Sequence, residues 1–164
     1  MKIVTADPRL CVVCRNCERA CAFAKSKGDI LVKHANMRVN YYPEEVACMP
    51  WTCIHCEKPW CMEVCPAGAI SRDEKTHAVK IDSSLCAGCK MCMLACPFGS
   101  IHFDSEALVS IKCDLCDGDP KCVQFCISGA LQYQEVDDAF DYNRKSFDNN
   151  LKSLLNLKRK GDLE

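Results

Sequence analysis

The chain has 164 residues and a formal net charge of −1 from 21 basic and 22 acidic side chains, which bounds it to one domain or two very small ones and argues against a basic nucleic-acid surface. Seventeen residues are cysteine, several times ordinary usage, and without them the apolar share drops from 49% to about 38%, thin for so short a chain. No apolar run approaches the roughly 20 residues of a transmembrane helix, and residues 1–10 carry neither a secretory pattern nor twin arginines, so no membrane span and a cytoplasmic location are expected.

Taken in chain order, the cysteines are grouped. The first quartet, Cys11, Cys14, Cys17 and Cys21, reads C-x2-C-x2-C-x3-C. Residues 36–42 alternate enough for a strand that Pro43 ends, and Cys48 then stands alone. The second quartet, Cys53, Cys56, Cys61 and Cys65, reads C-x2-C-x4-C-x3-C-P. Strands 69–72 and 78–82 are expected after it, joined by the polar turn 73–77. The third quartet, Cys86, Cys89, Cys92 and Cys96, repeats the first spacing and adds Pro97. Strands 101–104 and 108–112 follow, around Ser105-Glu106. The fourth quartet, Cys113, Cys116, Cys122 and Cys126, reads C-x2-C-x5-C-x3-C. Each x3-Cys segment suits one helical turn, and the glycines at 68, 99 and 129 permit a tight turn just after three of the quartets. Beyond Asp137, Phe140, Phe147, Leu151, Leu154 and Leu155 fall near one helical face, before Lys158-Arg159-Lys160 and Gly161; this predicts a C-terminal helix.

Tight, loose, tight, loose is an internal repeat. A disulfide scaffold suits a secreted chain and an even cysteine count, and neither is indicated here. Structural zinc uses C-x2-C pairs and needs no closing x3-Cys. The run C-x2-C-x2-C-x3-C-P is that of 4Fe–4S ferredoxins, in which the fourth Cys of the run ligates the other cluster. Four such quartets predict four 4Fe–4S clusters, a core built partly of inorganic cubes, and an apo chain that is largely unfolded. Oxidised cubes with four thiolates carry about −2 each, so the loaded protein is expected near −9. No G-x-G-x-x-G or G-x4-G-K-[ST] run occurs, so no nucleotide or substrate chemistry of its own is expected.

These quartets, with Lys112-Cys113-Asp114-Leu115-Cys116, Cys53-Ile54-His55-Cys56-Glu57-Lys58-Pro59-Trp60-Cys61 and Cys96-Pro97-Phe98-Gly99, resemble the four-cluster iron–sulfur subunits of molybdenum and tungsten oxidoreductases and some hydrogenases. The likeness spans residues 7–133 and departs at Ala22 and Ile127, where no ligand is lost. It implies an α+β fold of two nested bacterial-ferredoxin-type modules with short β-hairpins and a C-terminal helix: an outer module of 1–35 with 105–135, an inner one of 36–104, and a helical tail of 136–164. It implies cross-ligation: Cys11, Cys14, Cys17 and Cys126 for one cluster; Cys21, Cys113, Cys116 and Cys122 for a second; Cys53, Cys56, Cys61 and Cys96 for a third; Cys65, Cys86, Cys89 and Cys92 for a fourth. The implied function is non-catalytic electron transfer between a tungsten- or molybdenum-pterin catalytic subunit, an aldehyde oxidoreductase as first choice, and a flavin subunit or ferredoxin. A free-standing polyferredoxin, or a subunit of a formate dehydrogenase or hydrogenase, is the alternative.

The remaining residues are read more blandly. Cys48 is expected to be an idle buried thiol. His55 is either a hydrogen-bond donor that tunes a cluster or a packing residue. Trp51 and Trp60 are expected to pack rather than shield a cluster, and Lys90 and Lys112 to be solvated charges. The basic, apolar tail helix is a candidate contact for a partner subunit or a second copy.

Overall fold

The computed structural model describes residues 1–26, 28–44 and 47–137. The expected tail helix, with Phe140 through Gly161, lies outside the described residues.

Four two-stranded antiparallel sheets organise the described residues. The first pairs β1 (Lys2–Ala6) with β8 (Leu131–Glu135), with Lys2 opposite Glu135 and Ala6 opposite Leu131. The terminal ammonium meets the Glu135 carboxylate at 2.8 Å. β2 (Arg38–Tyr42) pairs with β3 (Ala47–Trp51), the expected strand now with a partner. Pro50 is tolerated there because each strand of a two-stranded ribbon has a free edge.

The two expected hairpins are present and slightly shorter than predicted. β4 (Ile70–Arg72) pairs with β5 (Val79–Ile81), and β6 (Ile101–Asp104) with β7 (Val109–Lys112). Leu108, expected in the strand, takes the left-handed turn conformation instead, at φ 57°. An aspartate closes each turn. Asp73 accepts from the Thr76 N–H at 2.8 Å, and Asp104 from those of Glu106 and Ala107 at 2.9 and 3.0 Å.

The helical turns precede the closing cysteines, as expected: α2 (Trp60–Glu63), α3 (Met91–Ala95) and α4 (Lys121–Gln124). The first quartet differs, because α1 spans Asn16–Lys25. Its Ala, Glu, Arg and Lys content favours continuation, and Glu18 and Lys25 sit at the ends the helix dipole prefers. Cys17, Glu18, Cys21 and Ala22 form its buried face. Buried Glu18 binds Arg15 at 2.5 Å and accepts the Val39 N–H at 2.9 Å, tying α1 to β2.

α1 packs on α4, and α2 on α3. One apolar cluster gathers Val4, Ala22, Met37, Val39, Leu115 and Leu131 with Cys17, Cys21 and Cys122; a smaller one holds Ile70, Val79, Cys92 and Ile101. The largest fully buried side chains are Met37, Leu115, His55, Glu18 and Val79, so histidine and glutamate occupy places that oil would fill elsewhere. No described helix is long and apolar enough to cross a membrane.

Candidate metal centre: four cysteine quartets

The spacing repeats in the backbone as well as in the sequence. The residue just before the second cysteine of every quartet is left-handed: Val13 at φ 57°, His55 at 51°, Gly88 at 66° and Leu115 at 60°. In the first, third and fourth quartets the residue after that cysteine is left-handed too, Arg15 at 59°, Lys90 at 63° and Asp117 at 57°. A β-branched valine pays for such a conformation, and local strain of about 1–3 kcal/mol persists only where the surroundings impose it. Loops that alternate right- and left-handed residues turn successive N–H groups inward, making the concave anion nests found at Fe–S sites.

Those N–H groups reach sulfur. His55 N–H and Leu115 N–H donate to Cys53 and Cys113 Sγ, both at 3.4 Å, two residues back in each loop. Ser100 and Leu131 N–H reach the closing Cys96 and Cys126, again at 3.4 Å. Asn36 N–H reaches Cys21 at 3.2 Å and Ser110 N–H reaches Cys86 at 3.5 Å. Behind three closing cysteines the chain turns alike, Gly68, Gly99 and Gly129 donating to the carbonyls of Cys65, Cys96 and Cys126 at 3.2, 3.3 and 3.2 Å.

Two hollows each collect four cysteines from two quartets. Cys53, Cys56 and Cys61 line one together with Cys96, around about 400 Å³ of atom-free space that includes open solvent. Cys65 lines the other with Cys86, Cys89 and Cys92, around about 320 Å³ that likewise includes open solvent. Between the first and fourth quartets, Cys17 lies within electrostatic reach of Cys126 and Cys11. Cys122 lies within reach of Cys113, Cys21 and Cys116, and less strongly of Cys17. Cys14 is half-buried on the loop between Cys11 and Cys17. Among the described residues no three Cys, His, Asp or Glu side chains converge as the ligands of one metal ion would. Each thiolate of a 4Fe–4S cube takes a different iron, so its four sulfurs need not converge on one ion.

Burial pushes the Cys17 thiol up to about 12 and the Cys113 thiol up to about 11. It raises Cys21, Cys56, Cys61 and Cys122 as well. Without metal these groups hold their protons at neutral pH, so loading iron must release them.

Four residues beside the quartets are now located. Cys48 is buried, its Sγ 3.5 Å from the Cys11 carbonyl, next to the first quartet. Trp51 packs on Phe98 with ring centroids 6.1 Å apart and donates Nε1–H to the Phe98 carbonyl at 2.9 Å. Trp60 lines the first hollow yet is 63% exposed. Lys112 departs from expectation: it is 5% exposed and lines the same hollow. The reason is its place at the end of β7, where the strand turns its side chain inward beneath β5.

His55 is fully buried in that hollow. Its Nδ1 accepts the Val79 N–H at 3.0 Å, which leaves Nε2 as the protonated nitrogen, and Nε2 is buried with no partner. Burial, then the Lys112 charge, lowers its basicity to about 3, so the ring is neutral. A buried orphan donor and four thiols around one hollow fit an anionic sulfur-bearing group.

Residues 44–136 match the family model described as a 4Fe-4S dicluster domain. Formate hydrogenlyase subunit 2 of Escherichia coli is 32% identical over 174 residues, covering 84% of this chain and 83% of that protein. The polyferredoxin-like subunit of aliphatic sulfonate oxidoreductase from Pyrococcus furiosus is 37% identical, covering 75% and 70%. The beta subunit of NADH-dependent phenylglyoxylate dehydrogenase from Aromatoleum evansii is 35% identical over 82% of this chain, which spans only 32% of that longer protein. With its quartets, its sulfur-directed N–H groups and more than half its length under one family description, the chain belongs to the 4Fe-4S dicluster domain family.

Proposed function

We propose that this chain is an electron-conducting subunit that holds four 4Fe–4S clusters in two cross-ligated pairs and passes electrons between a catalytic oxidoreductase subunit and a second redox protein. A 4Fe–4S cube bound by four thiolates exchanges one electron and leaves no iron open to substrate. The observation that carries the reading is the lining of the two hollows, where Cys96 stands with Cys53, Cys56 and Cys61, and Cys65 with Cys86, Cys89 and Cys92. The electrostatic neighbours of Cys17 and Cys122 support the same sharing between the first and fourth quartets. The ligand sets are then Cys11, Cys14, Cys17, Cys126; Cys21, Cys113, Cys116, Cys122; Cys53, Cys56, Cys61, Cys96; and Cys65, Cys86, Cys89, Cys92.

The nested arrangement, 36–104 within 1–35 and 105–135, draws support from the β1–β8 pairing and from α1 on α4 outside α2 on α3. Partnership with a catalytic subunit rests on relatives named as subunits of a hydrogenlyase, a sulfonate oxidoreductase and a dehydrogenase. A tungsten- or molybdenum-pterin subunit is the partner that the motifs suggest. In this role the protein's own groups hold thiolates at fixed positions, aim N–H donors at sulfur and exclude water from the buried quartet members.

The test is pairwise serine substitution in the anaerobically prepared protein. Cys53→Ser and Cys96→Ser should alter the same electron paramagnetic resonance signal, although different quartets supply them. Changes in two different signals would reject the sharing. Anaerobic co-purification, with metal analysis of whatever accompanies the chain, tests the partner; a chain that purifies alone and complete would be a free-standing polyferredoxin.

A further inference from the structure

One residue of β5 orients two polar side chains toward a single hollow. The Val79 N–H goes to His55 Nδ1 at 3.0 Å, and the Val79 carbonyl accepts from the Lys112 ammonium. Lys112 also donates to the Cys113 carbonyl at 3.2 Å. It is 5% exposed, lines the hollow of Cys53, Cys56, Cys61 and Cys96, and acts electrostatically on Cys56 and Cys61. No carboxylate among the described residues pairs with it: the chain neighbour Asp114 is turned to Lys25, at 2.5 and 2.6 Å. Two carbonyl dipoles do not neutralise a buried ammonium, and a buried charge without a counter-ion is costly.

The cations beside the other quartets are not in this state. Lys25, near Cys21 and Cys116, is matched by Asp114. Arg15 is half-exposed and matched by Glu18. Lys90, beside Cys89, is exposed and lies over the Phe103 ring at 4.0 Å.

We propose that the Lys112 ammonium is the fixed counter-charge of the cluster held by Cys53, Cys56, Cys61 and Cys96, that His55 Nε2–H donates to the same cluster, and that this cluster is therefore the highest in potential of the four. The inference rests on the four-cluster reading above. Its physics is simple: reduction adds one negative charge to a cluster already near −2, and a buried cation and an N–H donor both favour the more negative state. Electrons entering the chain then collect at this inner site, and Lys112, one residue from Cys113, stands where the inner and outer quartets meet.

The test is a redox titration of the holoprotein followed by electron paramagnetic resonance, in wild type, Lys112→Met, Lys112→Arg and His55→Phe. Lys112→Met should lower the highest midpoint by at least tenfold in its reduction equilibrium, about 59 mV for a one-electron couple. The other three should hold, Lys112→Arg should stay near wild type, and His55→Phe should lower the same midpoint by less. Loss of that one signal in Lys112→Met with retention in Lys112→Arg would also support the charge role. Four unchanged midpoints in Lys112→Met, a shift confined to a different centre, or loss of the signal in both lysine variants would overturn it. A wild-type count below four cubes would instead contradict the underlying reading, whatever Lys112 does.

Discussion

The second and third quartets build two hollows by nearly the same means, yet the hollows differ in what faces them. Both follow a closing Cys-Pro with a glycine turn, and both continue into a two-stranded hairpin with an aspartate-closed turn. Both place a left-handed residue before the second cysteine, His55 in one and Gly88 in the other. The hollow of Cys53 has a buried lysine and a buried histidine. The hollow of Cys65 has a lysine at its rim, in solvent. The repeated loop thus sets where sulfur stands, and the neighbouring hairpin sets the field around it.

The largest effect should fall on both hollows at once. Removing iron from the anaerobic protein with a chelator should collapse the circular dichroism cooperatively, because cubes fill space that Ile70, Val79 and Ile101 alone do not. An unchanged spectrum would mean that side chains hold the fold unaided.

A smaller and one-sided effect is expected at the left-handed position. His55 carries a side chain there, but a Cβ on Gly88 would stand 2.5 Å from the Leu108 carbonyl oxygen. Gly88→Ala should therefore cost about 1–3 kcal/mol of overpacking beside the backbone penalty. Thermal melting should show it, with the Cys86–Cys89–Cys92 signal broadened first. Gly68→Ala, with φ +60° and open space around the added carbon, should cost only about 1 kcal/mol. Equal melting points for the two variants would remove the crowding argument.

The smallest effect belongs to the exposed lysine. Lys90→Gln should shift one midpoint slightly, and raising salt should erase the difference, since solvent ions screen exposed charges over a Debye length near 10 Å at 0.1 M. The contribution of buried Lys112 should survive the same salt. If both lysines respond alike to salt, their different burial is irrelevant to potential.

Much of the site could be read from cysteine spacing because ligand loops are local. The quartets, the three glycine turns, both hairpins and the helical turns before closing cysteines all lie within a few residues of their cause. What escaped was long-range. Nothing near Lys2 or Glu135 announces that β1 and β8 pair, and Leu131–Glu135 has Gly129 before it but no glycine or proline just after it to mark a strand. The length of α1 escaped because the quartet pattern dominated a segment whose Ala, Glu and Lys content favours helix. Lys112 and Lys90 look alike on paper, each next to a cysteine. Only the β7 strand direction and the Val79 carbonyl separate a buried cation from a solvated one.

The central claim is four cubes in one chain of sixteen quartet cysteines, and elemental analysis of the anaerobically prepared protein tests it most directly. Iron and acid-labile sulfide per chain, quantified beside zinc and followed by Mössbauer spectroscopy, should give about 16 of each, all in 4Fe–4S form. About 8 irons per fully folded chain, or stoichiometric zinc, would contradict the account.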